Sequence, residues 1–274
     1  MRYRLLSDSR SITKIDKTNR VQTAYMVVSL ALAHAKTSGH QSCANSSPAC
    51  ETVCVGGSGV GLASVWPSVM AGRVRKSIRL AEDRAGFLAD LRHDIANAWR
   101  QAQELGVRLA VRLNCFSDHR WETPLFGEIP QEFTYVDDRT GEYSLRFYDY
   151  TRLHHRTTTP PNYSLTYSWG ERPADQQKCI EHLHAGRNVS ITFATRGNGF
   201  TGPRAMEQRL PKRWTLGGTQ FVCVDGDISD IRMPETDGCP TRSGHGRIIA
   251  LRLKAATNEI HAHGVDSGFC IVQD

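Results

Sequence analysis

The most regular pattern of hydrophobic positions lies between Asp83 and Gly106. Apolar residues recur there at steps of three and four, which is the spacing of one helix face. They are Leu88, Leu91, Ile95, Ala98, Ala102 and Leu105. Asp83 can cap the first turn and Gly106 can end the last one, so the pattern predicts a helix over residues 83–105. A shorter helix is expected over residues 174–185, before Gly186.

Short apolar runs before and after these helices predict strands. They cover residues 21–33, 107–113, 145–150, 163–168, 189–193, 221–225 and 248–253. The alternation of strand, polar loop and helix favours a mainly parallel sheet in a single α/β domain over residues 1–274. With this many strands we expect a complete or partial (β/α) barrel of the TIM type. Residues 196–218 and 233–246 are rich in glycine, proline and arginine and are expected to be loop excursions.

Charge is spread unevenly along the chain. The 274 residues include 34 basic and 28 acidic ones, which gives a formal net charge of +6. Residues 1–20 hold six basic side chains against two acidic ones, and Arg73, Arg75, Lys76 and Arg79 form a second basic patch. Such patches suit a polyanion, although a modest excess is also common on a solvated surface. Nucleic acid is therefore one candidate partner, with residues 1–20 as a basic arm.

The apolar segment over residues 24–35 bears on where the protein resides. It is too short to cross a bilayer, which takes about 20 apolar residues. Its end, Ala33-His34-Ala35, resembles the cleavage site of a signal peptide, but the region ahead of it is long and contains acids. The clustered cysteines are also better explained as reduced ligands than as a disulfide framework. We therefore expect a cytoplasmic protein that does not bind a membrane.

Three of the eight cysteines, Cys43, Cys50 and Cys54, crowd a segment after the first predicted strand (residues 43–57, the cysteine loop). Thiolate suits both soft metals and iron–sulfur clusters, so this loop is the candidate metal site. Three thiolates leave one iron of a 4Fe–4S cluster open, and an open iron can bind the amino and carboxylate groups of S-adenosylmethionine. The usual spacing of such a loop is C-x3-C-x2-C, whereas this one is C-x6-C-x3-C. Zinc completed by His40, and cysteines without metal or in a disulfide, are open alternatives.

Polar residues follow the predicted strands where each one ends. Because the carboxyl ends of parallel strands line the crevice of α/β folds, these side chains should converge near the cysteine loop. The predicted catalytic residues are Asp118, Asp149 and Asp227, and the predicted cofactor-binding residues are Gly56, Gly57, Gly59, Asn114, Ser117 and Glu171. For Ser117 and Asp118, a cap on the loop backbone is the structural alternative. Strand alternation places Tyr148 and Tyr150 opposite Asp149, so only one set can face the crevice.

The run from Asp225 to Arg232 supports a different chemistry. Asp225, Asp227 and Asp230 are close enough in sequence to bind a hard divalent cation through oxygen ligands. A nuclease or phosphatase built on these acids and Asp118 is therefore a competing interpretation. Asp230 and Arg232 can instead pair with each other, in which case the run is structural.

Several segments, taken in order, carry a family resemblance. They are Leu5-Leu6-Ser7, the cysteine loop, Arg112-Leu113-Asn114 with Ser117-Asp118, Phe147-Tyr148-Asp149-Tyr150-Thr151, residues 162–168 and residues 225–232. This set resembles the gene-product-88 family of phages and mobile elements, and its cysteine loop and strand order resemble the radical S-adenosylmethionine barrel. The resemblance implies a phage- or plasmid-encoded enzyme with a 4Fe–4S cluster and S-adenosylmethionine, and nucleic acid as a candidate substrate. The alternative is a zinc-stapled module without catalysis that binds nucleic acid or a host protein.

Overall fold

The structure is a computed structural model that describes residues 4–7, 24–57, 67–138, 140–195, 205 and 207–273. Its strands are β1 (Leu6–Ser7), β2 (Tyr25–Leu30), β3 (Arg108–Arg112), β4 (Leu145–Thr151), β5 (Tyr163–Ser168), β6 (Val189–Thr195), β7 (Arg213–Leu216), β8 (Thr219–Asp225), β9 (Ile248–Arg252) and β10 (Ile271–Gln273). Its helices are α1 (Pro48–Thr52), α2 (Pro67–Glu82), α3 (Arg84–Glu104), α4 (Ile129–Glu132), α5 (Pro173–His184), α6 (Pro234–Asp237) and α7 (Asn258–Asp266), and a 3-10 turn covers Pro124–Phe126. The described residues therefore form a mixed α/β fold.

The ten described strands form one open, mostly parallel sheet. They lie in the order β1-β2-β3-β4-β5-β6-β9-β8-β7, and β10 pairs with the end of β6. A closed barrel needs a pair between its first and last parallel strands. In the described residues, the outer edges of β2 and β8 are paired instead with the antiparallel strands β1 and β7. The complete barrel expected from the sequence is therefore not formed.

Five strands expected to be parallel neighbours are present as β3, β4, β5, β6 and β8. The first four are consecutive neighbours, but β9 lies between β6 and β8. Ile248 of β9 pairs with both Val189 of β6 and Cys223 of β8. The expected loop excursions also contain regular structure: β7 falls within residues 196–218, and α6 within 233–246. Residues 196–204 of the first excursion lie outside the described part of the chain.

Alternate side chains of the strands enter different hydrophobic clusters. Leu109 of β3 and Phe147 of β4 pack in the large cluster that includes the buried face of α3. Tyr148, the next residue of β4, belongs to a smaller cluster with Ile231 and Met233. Because neighbouring residues of a strand point to opposite faces, α3 covers one face of the sheet and the segment around residue 231 packs on the other.

The long helix α3 forms where the hydrophobic period predicts it. The carboxylate of Asp83 accepts a hydrogen bond from the main-chain N–H of Gly86 at 3.0 Å and so caps the first turn. Gly106, at a φ of 68°, follows the helix and adopts the left-handed conformation that ends it. The carboxylate of Asp94 on this helix accepts the main-chain N–H of Leu5 at 2.7 Å, which attaches β1 to the helix layer.

Candidate functional site

The cysteine loop lies across the carboxyl ends of β3, β4 and β5. The thiol of Cys43 donates to the carbonyl oxygen of Phe116, just past β3, at 3.4 Å. The side-chain amide of Asn45 donates to the carbonyl oxygen of Arg152, just past β4, at 2.7 Å. Arg172, past β5, donates to the side-chain oxygen of Asn45 at 2.9 Å. The structure thus brings the loop to the sheet edge where the sequence predicts polar residues to converge.

A short helix fixes the middle cysteine. Cys50 lies on α1, which begins after Ser47, and the hydroxyl oxygen of Ser47 accepts the main-chain N–H of Cys50 at 3.3 Å. Pro48 stands in the first turn, where it needs no N–H partner. A serine cap followed by proline is therefore the sequence signal that folds this part of the loop.

The three thiols of the loop affect each other's ionisation. Burial, with a smaller contribution from the neighbouring Cys50, raises the pKa of Cys43 to about 11 and that of Cys54 to about 12. Burial also raises the pKa of Cys50, against the opposing effect of the Arg152 guanidinium. At neutral pH these groups are therefore thiols, and a bound cation would be needed to stabilise the three thiolates together.

The donor chemistry of the loop suits a soft metal, but the side chains are not arranged around one. Within the described ranges, no group of three or more histidine, cysteine, aspartate or glutamate side chains is placed so that it could hold a metal ion. All eight cysteines lie in the described ranges, and none of them forms a disulfide. Cys43, Cys50 and Cys54 would therefore have to turn towards a common point to bind a metal.

Packing accounts for two of the glycines that were predicted to approach a cofactor. A Cβ atom at Gly56 would lie 2.8 Å from the ring of Phe116, and one at Gly57 would lie 2.1 Å from Nε2 of His34. Both positions must therefore lack a side chain for the loop to pack. Gly59, the third predicted glycine, lies outside the described residues.

Asn114, Ser117 and Asp149 form one buried network beneath the loop. Asp149 accepts hydrogen bonds from the main-chain N–H of Asn114 at 2.7 Å and from the hydroxyl of Tyr163 at 2.7 Å. The side-chain oxygen of Asn114 accepts from Ser117 at 2.9 Å and from the indole N–H of Trp121 at 3.0 Å. Burial raises the pKa of Asp149 to about 7. These hydrogen bonds hold the turn after β3 in place against β4 and β5.

Asp118 connects the turn after β3 to the segment after β4. Its carboxylate accepts from the hydroxyl of Thr151 at 2.8 Å, from the main-chain N–H of Arg152 at 2.8 Å and from the guanidinium of Arg156 at 3.0 Å. Arg156 also pairs with Glu122 at 2.8 Å and has a fully buried side chain. The carboxylate of Asp118 therefore anchors the segment after β4, and these bonds are not a cap on its own loop.

The three carboxylates of residues 225–230 do not share one site. Asp225 and Asp227 both pair with Arg252, at 3.1 Å each, and Lys254 also pairs with Asp227. Asp230 instead pairs with Arg112 at 2.9 Å. Asp225 and Asp227 thus share a basic partner, while Asp230 pairs with a different one.

The tyrosines of β4 lie opposite Asp149, as strand alternation predicts. The hydroxyl of Tyr148 donates to Asp230 at 2.9 Å, while Arg232 donates to the hydroxyl of Tyr150 at 2.9 Å. The segment around residues 230–232 is thus bonded to the face of the sheet away from α3. Asp230 and Arg232, which the sequence allowed to pair with each other, are each bonded to a tyrosine of β4.

The second basic patch contributes mostly to the fold. Three of the four side chains in the second patch are bonded within the protein: Arg73 to Gly56, Lys76 to Leu5 and Arg79 to Asp90. Arg75 is exposed. Most of the basic arm, residues 1–20, lies outside the described residues. The described part of the chain therefore presents no continuous basic surface at residues 73–79.

Arg152 and Glu171 face each other beside Cys50, and sequence reasoning identified only the second. Nη2 of Arg152 lies 3.8 Å from Oε2 of Glu171 and donates to Asp175 at 2.7 Å. Arg152 and His154 follow β4, so their position after a strand end was a sequence signal that could have identified them.

His40, which the zinc alternative uses as the fourth ligand, lines a cavity of about 400 Å³ with Arg84 and His119.

Comparison with known proteins identifies the family. A family model described as gene product 88 matches residues 4–273. The chain belongs to the gene product 88 family. The resemblance of the ordered motifs to this family is thereby confirmed, whereas no curated protein and no solved structure matches the chain. No helix in the described part of this gene product 88 protein has both the length and the apolar character needed to span a bilayer.

Proposed function

We propose that this protein is an iron–sulfur enzyme of the radical S-adenosylmethionine type. In this proposal Cys43, Cys50 and Cys54 hold a 4Fe–4S cluster at the carboxyl ends of the strands. The observation that carries the proposal is the course of the cysteine loop, which binds the segments after β3, β4 and β5 through Cys43, Asn45 and their partners. Ligand sites of α/β folds lie at this end of the sheet.

The order of the strands supports this placement. β2 to β6 are parallel and follow one another in both sequence and space, which is the order of a partial barrel. The cysteine loop follows β2, the first of these strands. The antiparallel strand β1 pairs with the outer edge of β2, so the parallel strands do not close into a ring. We therefore propose a partial barrel and not a closed one.

Electrostatics also supports a metal at the loop. The mutual effect of the three thiols disfavours three thiolates, and a metal cluster removes that cost by binding them. Arg152 stabilises the thiolate form of Cys50 and would orient it. When bound, the cluster would supply the electron that cleaves the sulfonium carbon–sulfur bond of S-adenosylmethionine. The protein's own contribution is to hold the three sulfurs and to seat the second ligand beside them.

A structural zinc site is the second candidate, because His34 lies against the loop. Its Nε2 atom lies where a side chain at Gly57 would be, three residues after Cys54. Burial, with a contribution from Arg73, lowers the pKa of His34, so its ring is neutral and able to bind a metal. In this case His34, and not His40, would complete the tetrahedron, and the protein would be a binding module without catalysis.

Metal and sulfide analysis of anaerobically purified protein separates these two functions. The proposed enzyme contains iron and acid-labile sulfide, and with a reductant it converts S-adenosylmethionine to 5′-deoxyadenosine. Zinc without sulfide identifies the binding module. As a matched control, substitution of Cys223 by serine should leave the metal content unchanged, because this residue lies on β8 away from the loop.

A further inference from the structure

Four polar side chains beside the cysteine loop, Arg152, His154, Glu171 and Asp175, form a group that we call the Arg152 cluster. Arg152 and His154 follow β4, Glu171 follows β5, and Asp175 lies in the first turn of α5. Arg152 donates to Asp175 at 2.7 Å, and Nε2 of His154 lies 3.8 Å from the other oxygen of Asp175. The bond from Asn45 to the carbonyl oxygen of Arg152 places the cluster directly beneath the cysteine loop.

Several buried polar atoms of the Arg152 cluster have no hydrogen-bond partner among the described residues. They are Nε and Nη1 of Arg152, both ring nitrogens of His154 and Oε2 of Glu171. The side chains of Arg152 and His154 are each only 8% exposed. Buried polar atoms are almost always hydrogen-bonded, since leaving one without a partner costs free energy. Five such atoms in one place indicate that the Arg152 cluster can bind a polar ligand.

The charges of the cluster restrict the class of ligand. Arg152 is a cation, whereas Glu171 and Asp175 are carboxylates, and Glu171 lies 3.8 Å from the guanidinium. A simple anion would be repelled by the two carboxylates, and a simple cation by Arg152. A ligand that carries both charges close together can hydrogen-bond with the N–H groups of Arg152 and with Oε2 of Glu171 at once, since the 3.8 Å ion pair between them is too long to be a hydrogen bond.

The backbone holds Arg152 in the orientation that this binding needs. A Cβ atom at Gly170 would lie 2.1 Å from Nη2 of Arg152 and 2.6 Å from its Cζ atom. The guanidinium therefore lies against the bare backbone of residue 170, where any side chain would displace it. This contact and the bond to Asp175 both involve Nη2, so they hold the guanidinium in place without using the N–H donors of Nε and Nη1.

We propose that the Arg152 cluster binds the α-amino-acid end of a ligand, with Arg152 donating to one carboxylate oxygen and Glu171 accepting from an N–H of the α-nitrogen. In S-adenosylmethionine, the nitrogen lone pair and the other carboxylate oxygen would be left for the open iron. This inference rests on the proposed function, because S-adenosylmethionine is the ligand that would bring such an end to the cysteine loop. The Arg152 cluster can make these contacts when no metal is bound at the cysteine loop. L-Methionine, which has the same amino-acid end, should therefore bind as well.

Calorimetric titration of the full-length protein tests the proposal with three probes. S-Adenosylmethionine and L-methionine are expected to bind both metal-loaded and metal-free protein, whereas 5′-methylthioadenosine, which lacks the amino-acid end, is not. Glu171→Gln and Arg152→Gln should each weaken binding about tenfold, the usual effect of losing a charged hydrogen bond. Gly170→Ala should weaken it while keeping every charge. The matched controls are Glu259→Gln and Arg75→Gln, since both residues are exposed.

The outcomes separate this inference from the proposed function. Binding of L-methionine that depends on Glu171, in a protein that takes up no iron or sulfide on anaerobic reconstitution, supports the Arg152 cluster and contradicts the iron–sulfur enzyme. Suppose that the protein contains iron and sulfide, and that Glu171→Gln and Gly170→Ala leave the binding of the amino-acid probes unchanged. This result overturns the role of the Arg152 cluster but not the iron–sulfur enzyme. Absence of binding by both amino-acid probes also overturns it. Because Glu171→Gln removes a charge without removing a packed side chain, a loss of folding in Arg152→Gln does not decide the result.

Discussion

The main-chain N–H of Asp118 donates a hydrogen bond to the carbonyl oxygen of Ser42, at 2.8 Å. Ser42 directly precedes the cysteine loop, and the carboxylate of Asp118 in turn binds Thr151 and the main chain of Arg152 after β4. One residue thus joins the cysteine loop, the end of β3 and the end of β4. These bonds give the buried carboxylate of Asp118 a structural role, because they hold the three segments together.

We expect Asp118→Asn to destabilise the protein. The amide offers one acceptor oxygen in place of two and removes a charge that faces the buried guanidinium of Arg156 at 3.0 Å. Breaking one side of a buried ion pair costs about 3–5 kcal/mol, and we expect the low end of this range because Arg156 keeps Glu122. Urea denaturation measures the change. Asp138→Asn, on the surface, is the control, and equal free energies of unfolding in the two variants would contradict the account.

The stability of the protein should depend on the ionisation of Asp149. Burial raises its pKa from 3.8 to about 7, so the folded protein binds this proton more tightly than the unfolded chain. The resulting stabilisation is complete below the unfolded pKa and is lost as the pH rises through about 7. The Asp149→Asn variant lacks this contribution.

The free energy of unfolding of the wild type should therefore fall relative to that of Asp149→Asn as the pH is raised between these two pKa values. Urea denaturation of both proteins across this pH range measures the difference. A difference that stays constant with pH would show that Asp149 does not titrate with a raised pKa.

A buried pair attaches the segment after β8 to the sheet. Nη1 of Arg112 lies 2.9 Å from Oδ1 of Asp230, and the two side chains are 15% and 3% exposed. Removing either partner leaves the other buried without its main charge, so Arg112→Ala and Asp230→Ala should each be strongly destabilising. The double variant should cost less than the sum, with an interaction energy of about 0.5–3 kcal/mol. Additive effects in this double-mutant cycle would argue against the pair.

Local signals in the sequence predicted much of the secondary structure. The strand over residues 163–168 has the predicted bounds, and α3 lies within a residue of them because Asp83 and Gly106 mark its ends. Helix α2 was not predicted. Its buried face includes the polar residues Lys76 and Ser77 beside Met70 and Leu80, and its composition, rich in basic residues, predicts a charged patch instead of a helix.

Long-range partners are the part that the sequence could not supply. Asp230 bonds with Arg112, 118 positions away, and with Tyr148 of β4, partners that its neighbours in the sequence do not reveal. The insertion of β9 between β6 and β8 is likewise set by tertiary pairing, which no hydrophobic period reveals. The convergence of strand ends on the cysteine loop was predictable, because it follows from parallel strands alone. Which strand-end residues would anchor the turns, as Asp118 does, depends on partners that only the fold brings together.

The central claim is that Cys43, Cys50 and Cys54 bind one metal cluster, and its most direct test is iron and sulfide analysis with electron paramagnetic resonance of reduced, anaerobically purified protein. The account predicts about four iron and four sulfide per chain and the signal of a reduced 4Fe–4S cluster. Both should be lost in the triple cysteine-to-serine variant and retained in Cys223→Ser. Protein that contains neither iron nor sulfide after anaerobic reconstitution, or a cluster that survives the triple substitution, would contradict the claim.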